Sequence, residues 1–258
     1  MGRQAVIDGG LTIGRDLAEE VPVALVYNGA TQAVMMATPA DLEDFACGFS
    51  VAEGIVDDIS QIGEVEIARH GRGIELRIWL PAAQEARLAA RRRAAAGPVG
   101  CGLCGIESIE QALRPPAQVP TAALRLNRAD LADAAGALQR GQALHDATGA
   151  VHAAGLWRPG SGLVRLREDV GRHNALDKLI GGTLRAGESG AGAAVVLTSR
   201  VSVDMVQKSA ALGAEAIIAI SAPTALAVEM ARTAGLTLVS NLKGGRPRVL
   251  AHPFRLVT

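Results

Sequence analysis

The sequence predicts an α/β protein in two parts: a C-terminal α/β/α domain on a mainly parallel sheet, and a smaller N-terminal α+β domain of hairpins and helices. The last third alternates short continuous apolar runs with helical stretches, the rhythm of a parallel sheet covered by helices. The first third instead carries two hairpin patterns. Between them, P-P-A-Q-V-P at 115–120 is incompatible with regular helix and marks the division, giving domains 1–120 and 121–258.

Taken in order, Val21 to Thr38 reads as a hairpin, because two β-rich runs flank Asn28-Gly29, a strong signal for a tight primed turn. Thr38 is the expected N-cap of a helix with Pro39 at its first position and Asp41 three residues after the cap. Leu42, Phe45, Ala46 and Phe49 then fall on one helical face, with Cys47 beside it as a small buried hydrophobe. Glu64 to Leu80 alternates on both sides of a G-R-G turn, a second hairpin with one buried face. Ala82 to Ala96 is Ala/Arg-rich and helical, and Arg91 to Arg93 read as a solvated face or an anion contact. A short helix is expected around Ile106, Ile109 and Leu113.

In the second part, Asn127 caps a helix with Leu131, Ala134, Ala135 and Leu138 on one face. Two antiparallel strands joined at residues 158–161 lead into E-D-V-G-R-H-N at 168–174, where Asn174 or Asp169 caps the next helix. Strands at 193–198, 216–220 and 236–239 alternate with helices starting near Ser202 and Thr224. In open α/β sheets ligands gather at the carboxyl ends of the strands. Those ends here are Thr198 to Arg200, Ser221 to Pro223 and Ser240 to Arg246, all small, polar, glycine-rich or cationic.

Composition excludes several classes. With 258 residues and a formal net charge of zero, nothing pulls the chain toward nucleic acid or a membrane surface. Aromatic residues make up 2%, leaving little for base stacking, and no apolar run approaches the roughly 20 residues of a membrane span. With no secretory signal and only three cysteines, the chain reads as cytoplasmic.

Chemistry concentrates in G-P-V-G-C-G-L-C-G at 97–105, where glycines leave Cys101 and Cys104 open to approach. A structural zinc site would need a second ligand pair, and the five histidines include no H-x₃₋₅-H. A thioredoxin-like dithiol would open a helix directly after a strand, and a structural disulfide does not suit a reducing compartment. The preferred reading is a nucleophilic or sulfur-carrying thiol, activated as thiolate by a neighbouring cation such as Arg172 or His173. Polar groups also cluster in T-G-A-V-H-A-A (148–154) and E-D-V-G-R-H-N-A-L-D-K (168–178), and the C-terminal K-G-G-R (243–246) suits a phosphate.

The order G-x-C-G-x-C-G, T-G-x-x-H-A-A, E-D-V-G-R-H-N-A-x-D-K, S-A-P-T and G-G-R, spread over Glu19 to His252, resembles the FdhD family of formate dehydrogenase accessory sulfurtransferases. The resemblance implies a cytidine-deaminase-like C-terminal fold. It also implies a carrier that accepts sulfane sulfur from a cysteine desulfurase as a persulfide. The sulfur would pass to the molybdenum of Mo-bis(molybdopterin guanine dinucleotide), bound as substrate on its way to formate dehydrogenase, with GDP as a mimic and no structural metal. Cys101 would bear the persulfide and Cys104 assist. The cofactor would be held by Asn241, Leu242, Lys243, Gly244, Gly245 and Arg246, with His152, Asp169, Arg172 and His173 as further contacts. A two-fold homodimer would offer one pocket to each guanine. Family members often carry an aromatic residue where Asn241 stands and a tyrosine where Cys47 stands. Deaminase chemistry is excluded, because His152-Ala153-Ala154 lacks the glutamate of H-x-E and the C-x-x-C precedes the histidine. The competing readings are a cofactor-binding chaperone without sulfur chemistry and a thiol-disulfide oxidoreductase.

Overall fold

A computed structural model describes residues 16–86, 88, 113–120, 124–242 and 246–257. Cys101, Cys104, Arg91 to Arg93, Lys243, Gly244, Gly245 and most of the helix expected around 106–113 lie outside the described residues.

The first unit is a four-stranded sheet of order β2-β1-β4-β3. β1 (Val21–Tyr27) and β2 (Ala30–Ala37) form the expected hairpin. Asn28 (φ 46°) and Gly29 (φ 81°) both adopt the left-handed backbone that a primed turn demands. β3 (Val65–His70) and β4 (Gly73–Ile78) form the second hairpin, and β4 pairs in parallel with β1. α1 (Leu42–Ala52) covers this sheet, burying Phe45, Ala46 and Phe49 against Leu25, Leu76 and Ile78.

Thr38 does not cap α1, contrary to the sequence expectation. The helix begins after Asp41, whose φ of 52° lies in the left-handed region. Thr38 is drawn instead to the second unit: its N–H donates to Asp169 Oδ2 at 3.0 Å, its hydroxyl accepts from Val170 N–H at 3.2 Å, and its carbonyl accepts from Lys178 Nζ at 2.8 Å. A tertiary claim on all three groups overrides a local capping preference.

The second unit is a six-stranded sheet of order β10-β9-β8-β7-β5-β6. β5 (His152–Arg158) and β6 (Gly162–Asp169) are antiparallel. β7 (Ala194–Leu197), β8 (Ala216–Ala219) and β9 (Thr237–Ser240) are parallel and fully buried. β10 (Arg248–Ala251) closes the far edge antiparallel to β9. The parallel part is therefore the centre of a mixed sheet. Alternate residues feed two cores: Ala194, Val196 and Ile218 pack on α2 (Arg128–Gly141), whereas Val195, Leu197 and Ile217 pack on the opposite layer. That layer holds α4 (Arg172–Arg185), α5 (Val203–Ala211) and α6 (Ala225–Ala234). The short α3 (Ala143–Thr148) follows α2, whose N-terminus carries the expected Asn127 cap with a reciprocal bond from Asp130.

The units join where α1 crosses α4. A Cβ at Gly48 would sit 1.7 Å from the Asp177 carbonyl oxygen, and one at Gly181 would sit 1.9 Å from that of Asp44, so the two backbones touch only because both positions lack side chains. The 115–120 stretch expected to separate the units is docked on the second one. Val119 is buried in its core and its N–H donates to the Ala234 carbonyl at 3.0 Å.

Candidate functional site

β5 runs antiparallel to its neighbours, so its first residue lies at the same edge as the last residues of β6, β7, β8 and β9. His152 pairs with Asp169 across β5–β6, and Ala154 pairs with Leu197 across β5–β7. Thr198 fastens this corner: its Oγ1 accepts from Ala153 N–H at 3.0 Å, and its own N–H donates to the Ala153 carbonyl at 3.2 Å. The next strand ends are laced together, with Val201 bridged to Pro223 and Asn241 N–H reaching the Ser221 carbonyl at 3.4 Å. Sequence motifs far apart in the chain thus gather on one edge, the carboxyl edge of the parallel strands.

A recess of about 430 Å³ opens at this edge, lined by Gln142, His145, His152, Thr198 and Ile220 among others. Glu168 anchors the start of α3, which carries the lining residue His145, by accepting the Leu144 and His145 N–H groups, both at 2.8 Å. His145 Nδ1 lies 3.2 Å from the Val151 carbonyl. His152 is half-buried, and its pKa is held below the usual histidine value first by burial, then by the charges of Arg172, His145 and His173. Residues from α3, β5 and α4 therefore share one electropositive neighbourhood.

Arg172 and His173 open α4. Gly171 is the N-cap with no side-chain cap bond, and Asn174, one of the two caps expected from sequence, lies buried inside the helix. Arg172 Nε is buried and has no hydrogen-bond partner among the described residues. A cation at a helix N-terminus is opposed by the macrodipole, so an anion beside Arg172 would be favoured both by its charge and by the helix. His173 Nε2 lies 2.6 Å from Asp204 Oδ2, although its N–H axis does not run along that contact.

The remaining sequence-derived candidates divide. Asp169, the other expected cap, is fully buried. Its carboxylate accepts from Thr38 N–H, Gly171 N–H at 2.7 Å, Asn174 Nδ2 at 3.0 Å and Lys178 Nζ at 2.6 Å. Those donors saturate it, so its place is in the framework beneath the edge and not on the ligand surface. Asn241 follows β9 with φ 62°, and Leu242 packs against the α2-side core. Arg246 faces a separate recess of about 400 Å³ beside Asn127 and Arg128. Sequence reasoning passed over His145 as a site residue, because only the turn after α3 brings it beside His152. It also missed Asp204, whose partner lies on another helix.

Another cavity, about 660 Å³, lies elsewhere, between β3, β6 and the facing ends of α1 and α4. Its arginines are largely spent on internal pairs: Arg167 and Arg185 both bind Asp44, and Arg185 also meets Glu43. Size alone does not make it the site. Cys47 is buried, and its thiol is pushed up to about 11, first by burial, leaving it protonated and inert. Among the described residues no group of three histidine, cysteine or acidic side chains is placed to hold a metal ion, and no helix is long and apolar enough to cross a membrane.

Fold and site together define a two-unit α/β protein with a histidine-lined recess at the carboxyl edge of a parallel sheet core. The model of the FdhD/NarQ family matches residues 18–257, and the chain belongs to that family. A sulfur carrier protein FdhD from Agrobacterium fabrum is 48% identical over 258 residues, all of this chain and 95% of that one. Its counterpart from Cupriavidus necator is 50% identical, covering 93% of this chain and 83% of its own. A crystal structure assigned as a formate dehydrogenase accessory protein from Desulfotalea psychrophila superposes with a TM-score of 0.70 at 27% identity, covering 93% of this chain and 90% of that one.

Proposed function

We propose that this protein is a cytoplasmic sulfur carrier that loads a persulfide on Cys101 and delivers the sulfur to a molybdenum–guanine dinucleotide cofactor destined for formate dehydrogenase. The observation that carries the cofactor half is the buried Arg172 Nε at the N-terminus of α4, without a hydrogen-bond partner among the described residues and close to His152. Phosphate suits that place: it accepts from backbone N–H groups, favours the positive end of the helix, and can take a charge-assisted bond from Arg172. The sulfur half rests on the glycine-flanked Cys101/Cys104 pair and on relatives named as sulfur carriers.

Loading Cys101 with sulfur needs no external oxidant or reductant. The Cys101 thiolate attacks the terminal sulfur of a persulfide on a cysteine desulfurase. The donor S–S bond breaks, the donor cysteine leaves as thiolate, and a new S–S bond forms on Cys101. Cys104 assists or accepts in a second exchange of the same type. Asn241 to Arg246 and the edge residues His152, Arg172 and His173 then hold the cofactor, with Asp169 acting only through the framework that positions α4. A recess of about 430 Å³ takes one end of a ligand with two nucleotide arms, so a two-fold homodimer would supply the second. Sedimentation showing only monomer at micromolar concentration would exclude that dimer.

Intact-protein mass spectrometry after incubation with a cysteine desulfurase and cysteine tests the sulfur step. One added sulfur that disappears in Cys101→Ala is the expected result. No added sulfur on the wild type would leave only a cofactor-binding chaperone.

A further inference from the structure

Across the α4–α5 interface run two acid–base pairs one helical turn apart, His173 with Asp204 and Asp177 with Lys208. The deeper pair is structural. Lys208 Nζ donates to both Asp177 oxygens at 2.7 Å and meets Glu53 of α1 at 3.0 Å, with every partner largely buried. The outer pair is different, since its side chains retain 18% and 19% exposure and His173 lies close enough to His152, a lining residue of the recess, for its charge to act on it.

Asp204 is itself held in place. Ser202, the N-cap of α5, makes no side-chain cap bond to its helix; its hydroxyl donates to Asp204 Oδ1 at 2.5 Å. Burial would raise the Asp204 carboxyl, but contact with His173, the Ser202 hydroxyl and the charge of Lys208 together hold it well below the ordinary carboxylate range. Asp204 therefore stays anionic in the first turn of α5, where the helix dipole favours it. With Oδ1 engaged by Ser202, Oδ2 is the oxygen turned to His173.

We propose that Asp204 is a positioning residue for His173: fixed by Ser202, it claims Nε2 and leaves Nδ1 as the ring atom that meets the ligand at the recess. A carboxylate beside one ring nitrogen draws the proton to that nitrogen, which settles the tautomer. Nδ1 then accepts a hydrogen bond from the ligand when the ring is neutral and donates one when it is protonated. The groups whose charges interact with His173 are His152 at the recess, Asp204 on α5 and Asp177 one turn below, with Arg172 preceding it on its own helix. Among the described residues, Asp204 is the anion in direct contact with the ring. The off-axis geometry of the contact leaves it room to tighten when a ligand pulls on Nδ1.

This inference rests on the cofactor-binding reading for its ligand, but not for its first measurement. Long-range ¹H–¹⁵N spectra of the imidazole rings read the tautomer directly. Wild type is expected to show His173 as the Nε2–H form, and Asp204→Asn to lose that preference. Unchanged ring-nitrogen shifts in Asp204→Asn would overturn the proposal, as would a wild-type Nδ1–H tautomer. Calorimetric titration with GDP at pH 6 and pH 8 gives the second readout. Asp204→Asn should weaken binding by about tenfold, the loss of one charge-assisted contact, with a changed ratio between the two pH values. In a His173→Gln background the same substitution should have no further effect, and additive losses would show that Asp204 acts by another route. Should Asp204→Asn fail to fold, Ser202→Ala removes only the hydroxyl and should shift the same ring signals by less. A wild type that binds no GDP would refute the cofactor reading alone, with the ring spectra still deciding the role of Asp204.

Discussion

Asp169→Asn separates a framework residue from a ligand residue. The carboxylate is fully buried and receives four donors from three places: Thr38 at the end of β2, Gly171 before α4, and Asn174 and Lys178 on α4. The amide keeps the shape but removes the charge and turns one acceptor into a donor that faces donors. Lys178, itself fully buried, is left with the Thr38 carbonyl as its other hydrogen-bond acceptor among the described residues. Breaking a buried pair by removing one partner costs about 3–5 kcal/mol, because an uncompensated charge stays inside. At about 2–4 °C per kcal/mol for a chain of this size, Tm should fall by roughly 6–20 °C. Urea unfolding and a thermal scan measure this, and GDP titration of the folded protein provides the contrast. Replacing both residues, Asp169→Leu with Lys178→Met, should recover part of the loss. A stability change under 1 kcal/mol together with abolished nucleotide binding would refute the reasoning and place Asp169 at the ligand.

Gly48→Ala should prevent stable folding, since its Cβ would enter the Asp177 carbonyl oxygen at 1.7 Å and backbone cannot move aside cheaply; soluble yield and circular dichroism report it. Cys47, with its thiol near 11, should resist iodoacetamide at pH 8 in the native protein and react only after unfolding, as peptide mapping would show. His152 binds protons less readily folded than unfolded, so its contribution is complete above about pH 6.5 and stability falls as pH drops below that value. His152→Gln should flatten the denaturation midpoint between pH 7 and pH 5, and an unchanged slope would contradict the burial argument.

Both hairpins, the Asn127 cap and the order β7 to β9 were legible because each depends on local pattern: a primed-turn dipeptide, an Asx cap, a continuous apolar run. The parallel pairing of β1 with β4 was not, since nothing in either strand records its partner across 46 residues of chain or more. Thr38 misled for a related reason. Its sequence suits an N-cap, but Asp169, Val170 and Lys178 lie more than 130 positions away and claim its backbone and hydroxyl together. Among the candidate site residues, His152, Arg172 and His173 stood out by their glycine-punctuated motifs. Asp169 stood out equally and proved to be buried, because a polar residue beside glycine looks the same whether it serves a ligand or a helix start. Apart from Ser202 two residues before it, nothing local marks Asp204; only the packing of α5 on α4 brings His173 to it.

The claim that an anionic ligand is held at the N-terminus of α4 is tested most directly by calorimetric titration of GDP into wild type, Arg172→Gln and Arg69→Gln. Arg69 is a suitable control, being exposed in the other cleft and without an ion pair among the described residues. Losing one charge-assisted contact is worth about 1.5–3 kcal/mol, so Arg172→Gln should weaken binding by roughly 10- to 100-fold while Arg69→Gln binds as wild type does. Equal affinity in wild type and Arg172→Gln would contradict the account.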